Sequence, residues 1–400
     1  MRALPRVLRG GDRGEPREDR RARRPLAHAR DRARATHRLR PRRCDRQAGA
    51  RRGPHAARRG PGLGPRECRA VRSLGAPGGH GPPRLALPAL NPARARRRPN
   101  AVNRFHEGER AVQSRSGVTD EAGRLGRGIT STIPEAARPF LESQRIAVLA
   151  GVDGSGRVWA SLVTGAPGLI TAPSARTLRL AAGLPDADPL SEGLARGRPL
   201  GVLVIDPERR RRLRVNGRVV RADHDAIEIR AAEVFGNCPK YIQARALEPD
   251  AEPGGVGVAR RHATLTEPQR LAIERADTLF IASAHADAGA DASHRGGQPG
   301  FVRVLDERRL LIPDYSGNNM FQTLGNIATD PQVGLLFVDF DTTTTLQLTG
   351  RARILWEPEA LAPLKGAERA VAVEVDEIVE IEGRGPLGWR FVEYSPFNPR

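Results

Sequence analysis

Two short stretches carry the residue types from which a ligand site could be built. Asp291-Ala292-Ser293-His294-Arg295-Gly296-Gly297-Gln298-Pro299-Gly300 sets a hydroxyl, an imidazole and a guanidinium side by side and reads as a flexible polar loop. Pro313-Asp314-Tyr315-Ser316-Gly317-Asn318-Asn319 then enters a segment in which Met320, Leu324 and Ile327 recur at helical spacing. A helix that opens on Ser-Gly-Asn-Asn offers unpaired backbone N–H groups and the positive end of its dipole, which suits a phosphate. The plainer alternative is that Ser316 or Asn318 simply caps the helix, and the first stretch matters only if it converges on the same cleft. Other clusters are weaker. His285, Asp287, Asp291 and His294 have metal-ligand chemistry but no rigid spacing, so no metal is expected. Cys238 reads as a small buried residue at a strand end and Lys240 as a surface cation. No residue stands out as a catalytic acid or base. His294, with an ordinary pKa of about 6.5, is the best candidate.

The elements that must hold these residues come in pairs. Ser131-Thr132-Ile133-Pro134-Glu135 is a capping box opening a helix through about Leu141, and Thr266-Glu267-Pro268-Gln269 repeats it 134 residues later, through about Arg275. Ile146–Leu149 matches Leu279–Ala282, Leu200–Asp206 matches Val333–Asp339, and Leu213–Arg218 matches Leu346–Arg351, each at an offset of 133. Such agreement predicts a duplicated unit of about 130 residues. Gly217 and Gly350 recur at one register and predict a bulge in a long strand rather than a hairpin turn. Strands are expected near Ala226–Ile229 and Val371–Ile381. No GxGxxG follows a strand and no GxxxxGK[ST] occurs, so the pattern favours small barrels with flanking helices over a doubly wound nucleotide fold.

These residues bear a family likeness. The stretch from about Glu267 to Trp356, centred on Asp291–Gly297, Ile312–Asn319 and Leu346–Gly350, resembles the pyridoxamine 5′-phosphate oxidase-like family of FMN-binding split barrels. The first unit, through Phe235-Gly236-Asn237-Cys238-Pro239-Lys240-Tyr241-Ile242, resembles the N-terminal portion of the same flavin-nucleotide-binding subgroup, and the two together cover about 290 of 400 residues. The resemblance implies a mainly β fold with flanking helices (α+β): two tandem split β-barrels, each of six antiparallel strands, with FMN in a cleft between barrels of a homodimer or an intramolecular pseudo-dimer. It implies that Ser293, His294 and Arg295 approach the flavin or its phosphate, that Phe301 and Val302 present backbone to the ring, that Tyr315 lies at the ribityl chain, that Asn318 and Asn319 hold the phosphate, and that the Gln347 amide faces the flavin. Members that oxidise pyridoxamine phosphate carry an Arg-Lys pair where this chain has Asn318-Asn319, so Arg295 or the helix N-terminus must supply the charge. Their C-terminal substrate-binding segment has no match in Trp389–Tyr394, which argues against pyridoxamine phosphate as substrate. Ser174-Ala175-Arg176-Thr177, aligned with Ser316–Asn319 at an offset of 142, raises a second phosphate site at Arg176 beside the alternative of a solvated arginine.

Composition bounds the rest. The chain has 400 residues and a formal net charge of +20, but residues 1–100 hold 29 Arg and 7 acidic residues without one Phe, Tyr, Trp or Ile. That segment cannot build a core. It reads as an out-of-frame or upstream-extended translation of GC-rich DNA or as a disordered tail, with a nucleic-acid-binding arm the least favoured alternative. The expected organisation is therefore 1–100 as this extension, 101–250 as the first unit and 251–400 as the second, with the cofactor site expected in the second. No apolar run is long enough to span a membrane, and three cysteines without a disulfide framework point to a reducing compartment, the cytoplasm. The functions expected are FMN-dependent redox of a small molecule served by an electron donor, or a flavin-nucleotide-binding module without its own substrate that serves an electron-transfer partner.

Overall fold

The computed structural model describes residues 104–248, 257–383 and 388–399; the arginine-rich segment lies outside them. The first unit runs α1 (Glu107–Arg115), α2 (Thr119–Gly126), α3 (Arg138–Ser143), β1 (Ile146–Val152), β2 (Val158–Thr164), β3 (Ile170–Ser174), β4 (Thr177–Leu180), β5 (Pro199–Asp206), β6 (Arg211–Ala222), β7 (Ile227–Gly236) and β8 (Ala244–Leu247). The second runs β9 (Ala259–His262), α4 (Glu267–Arg275), β10 (Thr278–His285), β11 (Gly289–Gly296), β12 (Arg303–Val304), β13 (Arg309–Asp314), α5 (Gln322–Thr329), β14 (Gln332–Val338), β15 (Thr345–Leu355), α6 (Pro358–Leu361), β16 (Arg369–Ile381) and β17 (Trp389–Glu393). None of the described helices is long and apolar enough to cross a membrane.

The duplication is written in the sheets. The first has the order β2-β1-β5-β6-β7-β4-β3 and the second β11-β10-β14-β15-β16-β13-β12, the same path, with β9 added on β16. Neighbouring strands pair antiparallel, which the short connections allow. Register shifts fall between Asn216 and Gly217 and between Thr349 and Gly350, where the repeated glycine predicts a bulge. A Cβ on Gly217 would lie 2.0 Å from the Arg230 carbonyl and one on Gly350 2.1 Å from that of Glu374, so the bend admits only glycine.

Each unit has its own core, and a third core joins them. Leu149, Trp159, Val202 and Val215 fill the first, and Ile281, Val333, Leu335 and Leu348 fill the second. Ile146, Val148, Ala160, Leu203, Phe280, Ala282, Ala292 and Leu336 form the shared layer. Central strands are thus buried on both faces, which is why they read as unbroken apolar runs. The sheets approach closely at two glycines 133 residues apart: a Cβ on Gly201 would lie 2.6 Å from the Ala290 carbonyl, and one on Gly334 2.6 Å from Cα of Trp159.

Local expectations are corrected in three places. The first capping box does not form: Glu135–Ala137 is a 3-10 turn, α3 follows without a side-chain cap, and Thr130 Oγ1 instead donates to the Thr132 carbonyl. The second box does form, between Thr266 and Gln269. Residues 291–296, expected as a flexible loop, belong to β11, because their polar side chains find partners across the interface. In β1 the structural offset to β10 is 132, not 133: Leu149 lies opposite Val202 as Ile281 lies opposite Leu335. A one-residue slip would have turned the wrong face to the core.

Candidate functional site

β11 runs along the boundary between the sheets, and β6 of the first unit packs across it. Arg214 donates to Asp291 Oδ1 and Oδ2 at 3.1 and 2.9 Å and to Ser293 Oγ at 2.7 Å, and Asn216 Nδ2 donates to Asp291 Oδ1 at 3.2 Å. On the other side Arg295 donates to Ser293 Oγ at 3.2 Å and faces Asp314 at 3.4 Å, while Arg369 meets the second oxygen of Asp314 at 2.9 Å. Beyond β13 the loop Tyr315–Asn319 and the first turn of α5 border a small, solvent-open cleft of about 70 Å³. Three backbones at its rim are left-handed: Tyr241 at φ 67°, Asn319 at φ 57° and Phe321 at φ 64°. Asn318 Oδ1 accepts from Met320 N at 3.2 Å, so it shapes the approach to α5, whose own N-cap is Phe321 with no side-chain bond. Neither Ser316 nor Asn318 caps the helix, and the amides of its first turn have no intrahelical carbonyl to meet.

Arg212 is the residue on which the electrostatics turn. Its Nη2 donates to the Cys238 carbonyl at 2.9 Å and its Nη1 lies 3.2 Å from His294 Nδ1, yet among the described residues no carboxylate pairs with it. Burial, then repulsion from Arg214, lowers its pKa to about 10. A guanidinium only donates, so His294 Nδ1 must accept and the ring proton must sit on Nε2. Burial, then Arg212 and Arg295, holds the His294 pKa well below the ordinary value. This imidazole is a neutral donor. Several buried polar atoms in the cleft wall lack any partner among the described residues: Nε of Arg212 and Arg214, both amide atoms of Asn237, and Nε2 of Gln322, a side chain only 6 % exposed. Tyr241 and Tyr315 stand at the mouth with ring centroids 5.1 Å apart, and the Tyr241 hydroxyl donates to the Ser316 carbonyl at 2.9 Å. Burial pushes Tyr241 up to about 12, so it stays protonated.

Ser293, His294, Arg295, Tyr315, Asn318 and Asn319 therefore line one cleft. Phe301, Val302 and Gln347 do not. Phe301 and Val302 are packed in the second core, and Phe301 closes on Gly297. Gln347 lies on β15 against β2, where its Nε2 is 3.0 Å from the Ala160 carbonyl, 3.0 Å from Ser161 Oγ and 3.3 Å from Asp188 Oδ2. Arg176 is also displaced. Ser174–Thr177 is the β3–β4 turn, the counterpart of Asp306–Arg309 rather than of the Ser316 loop. Arg212, Arg214 and Asn237 were missed because every candidate residue for the cleft was drawn from the second unit, although the cleft was expected between barrels. For Arg212 and Arg214 the signal is the period-two polar row Arg212, Arg214, Asn216, which alternates with Leu213 and Val215 on one half of the strand.

Residues 265–385 match a family model described as pyridoxamine 5'-phosphate oxidase. The match takes in the β11, β13 and α5 walls of the cleft but not Arg212 or Asn237. Similar solved structures include HupZ of Group A Streptococcus, 16 % identical over 28 % of this chain and 89 % of that one, with a TM-score of 0.23. A Clostridium acetobutylicum protein of the pyridoxinephosphate oxidase family, related to general stress protein 26 of B. subtilis, is 10 % identical over 30 % of this chain and 89 % of its own, at 0.24. An FMN-binding protein from Syntrophomonas wolfei is 6 % identical over 28 % and 80 %, at 0.22. No curated protein matches the chain.

Proposed function

We propose that the cleft between the two units holds FMN and that the chain is an FMN-dependent oxidoreductase acting on a small molecule. The observation that carries this reading is Arg212: a half-buried cation with no carboxylate partner among the described residues, set among carboxamide and guanidinium atoms that have no partner there either. A site short of one anion and of several polar partners fits a phosphate attached to a heterocycle. Arg212 and Arg295, with Asn318, Asn319 and the first turn of α5, would take the phosphate, and Asn237, Gln322, Ser293 and the Nε2–H of His294 would meet the remaining polar groups. Bound flavin supplies reversible electron transfer, and the protein supplies position and electrostatics. Since His294 is fixed as a neutral donor, it orients and does not protonate. The same point favours the second reading, a flavin-nucleotide module that passes electrons to a partner without turning over its own substrate. In both readings the site would draw residues from 101–250 and from 251–400.

The test is uptake of FMN by the purified full-length chain, followed by visible absorbance after desalting and by quenching of flavin fluorescence. Binding of FMN with riboflavin at least tenfold weaker is expected. Equal affinity for riboflavin would remove the phosphate role of Arg212, and no uptake of either would end the proposal. Bleaching of the bound flavin by NADH or NADPH separates the enzyme from the module.

A further inference from the structure

The cleft has a counterpart in the first unit, and each of its walls can be located there from the strand registers. β6 contributes Arg212 and Arg214; the β15 positions 133 later are Thr345 and Gln347. β11 contributes Ser293, His294 and Arg295; the β2 positions 132 earlier are Ser161, Leu162 and Val163. The bonds are reciprocal. Arg214 reaches Ser293 Oγ at 2.7 Å, and Gln347 Nε2 reaches Ser161 Oγ at 3.0 Å. The scaffold is thus the same, but where one cleft has Arg212, Arg214, His294 and Arg295 the other has Thr345, Gln347, Leu162 and Val163, all neutral or apolar.

The segment after β4 completes the difference. Where β13 leads into the Tyr315–Asn319 loop and α5, β4 leads into residues 181–198, of which Asp188–Leu190 turn inward. Asp188 is 2 % exposed and Leu190 fully buried. Ser161 Oγ donates to Asp188 Oδ1 at 2.6 Å, Leu190 N donates to the same oxygen at 3.0 Å, and Gln347 Nε2 lies 3.3 Å from Oδ2. Leu190 presses on Gly151, where a Cβ would lie 2.8 Å from its methyl carbon.

We infer, as an extension that rests on the FMN reading, that the chain binds a single flavin nucleotide: its second cleft is sealed by its own Asp188–Leu190 segment, whose carboxylate engages the Ser161–Gln347 pair that mirrors Ser293–Arg214. A phosphate entering there would meet a buried carboxylate and none of the three arginines that line the other cleft, and so would face charge repulsion in a low-dielectric site. The duplication has kept the scaffold twice and the anion chemistry once.

Equilibrium titration of the full chain with FMN tests this directly. One equivalent per chain at saturation is expected. Two equivalents would overturn the inference while leaving the FMN reading intact, and no uptake would overturn both. Asp188→Asn, which keeps the side chain's size, is expected to lower the melting temperature of the free protein and to leave the single equivalent in place. Loss of that equivalent in D188N with retained circular dichroism would put the ligand in the first-unit cleft and refute the assignment.

Discussion

At the scale of single residues, the cleft is defined by what its polar groups lack. Arg212 donates to a carbonyl and to His294 but faces no carboxylate among the described residues, so its removal is expected to reduce FMN affinity more than its burial would suggest. Arg212→Ala should weaken binding by about 2 kcal/mol, roughly thirtyfold, in a fluorescence titration. Arg212→Lys should recover part of that loss, since it keeps the charge without the fork. Asn318→Ala should cost less, because its oxygen serves the local backbone. Glu109 offers a separate check on burial. Desolvation raises its pKa to about 8, opposed by the His106 N–H that it accepts at 2.8 Å and reinforced by Glu233 and Asp291. Its folded pKa stands above the unfolded value of 4.5, so the native state holds more protons than the unfolded one between those values. Its contribution is complete below about pH 4.5 and is lost as pH rises through about 8. Melting temperature should therefore fall over that window, and Glu109→Gln, which keeps the cap bond, should flatten the fall. An unchanged slope would assign it to other groups.

At the scale of elements, the central strands were legible because each is an apolar run buried twice, and the repeat fixed their order of appearance. What the sequence could not convey was which face of a strand meets which partner. Gln347 and Arg214 occupy equivalent positions in equivalent strands, yet one abuts β2 beside the Asp188 carboxylate and the other abuts β11 in the cleft. That difference lives in the pairing of sheets, not in either strand. Likewise Asp291–Arg295 reads as a loop by composition, and becomes a strand because Arg214 and Asn216 satisfy it from another unit. The contact between sheets makes a sharp prediction at its glycines. Gly334→Ala would set a Cβ 2.6 Å from the Trp159 backbone, and neither backbone can give way without parting the shared layer. Loss of about 1–3 kcal/mol in urea unfolding is expected for this substitution and for Gly201→Ala alike. A near-zero effect at both would mean that the sheets are not pressed together there. Gly123→Ala, in open space on α2, serves as the control.

At the scale of the whole molecule, the two units depend on each other for stability and for the site. Ile146, Val148, Leu203, Phe280 and Leu336 are buried only because the sheets stack, so either unit alone would present a wide apolar face to water. The C-terminal strand β17 pairs with β8 of the first unit, and the buried Arg245–Asp277 ion pair, at 2.8 Å, ties the end of the first unit to the start of β10. The cleft is divided in the same way, with Arg212 and Asn237 on one side and Arg295 and the start of α5 on the other. Expressing residues 101–250 and 251–400 as separate chains tests both points. Produced together, the two are expected to co-purify as a heterodimer that holds FMN. Produced singly, each is expected to aggregate or self-associate through the exposed layer, and neither to retain flavin after desalting. Retention by 251–400 alone would show that the family-matched half is sufficient and that Arg212 is dispensable. Co-purification without flavin would separate the two roles of the interface, leaving its packing intact and its cleft misjudged.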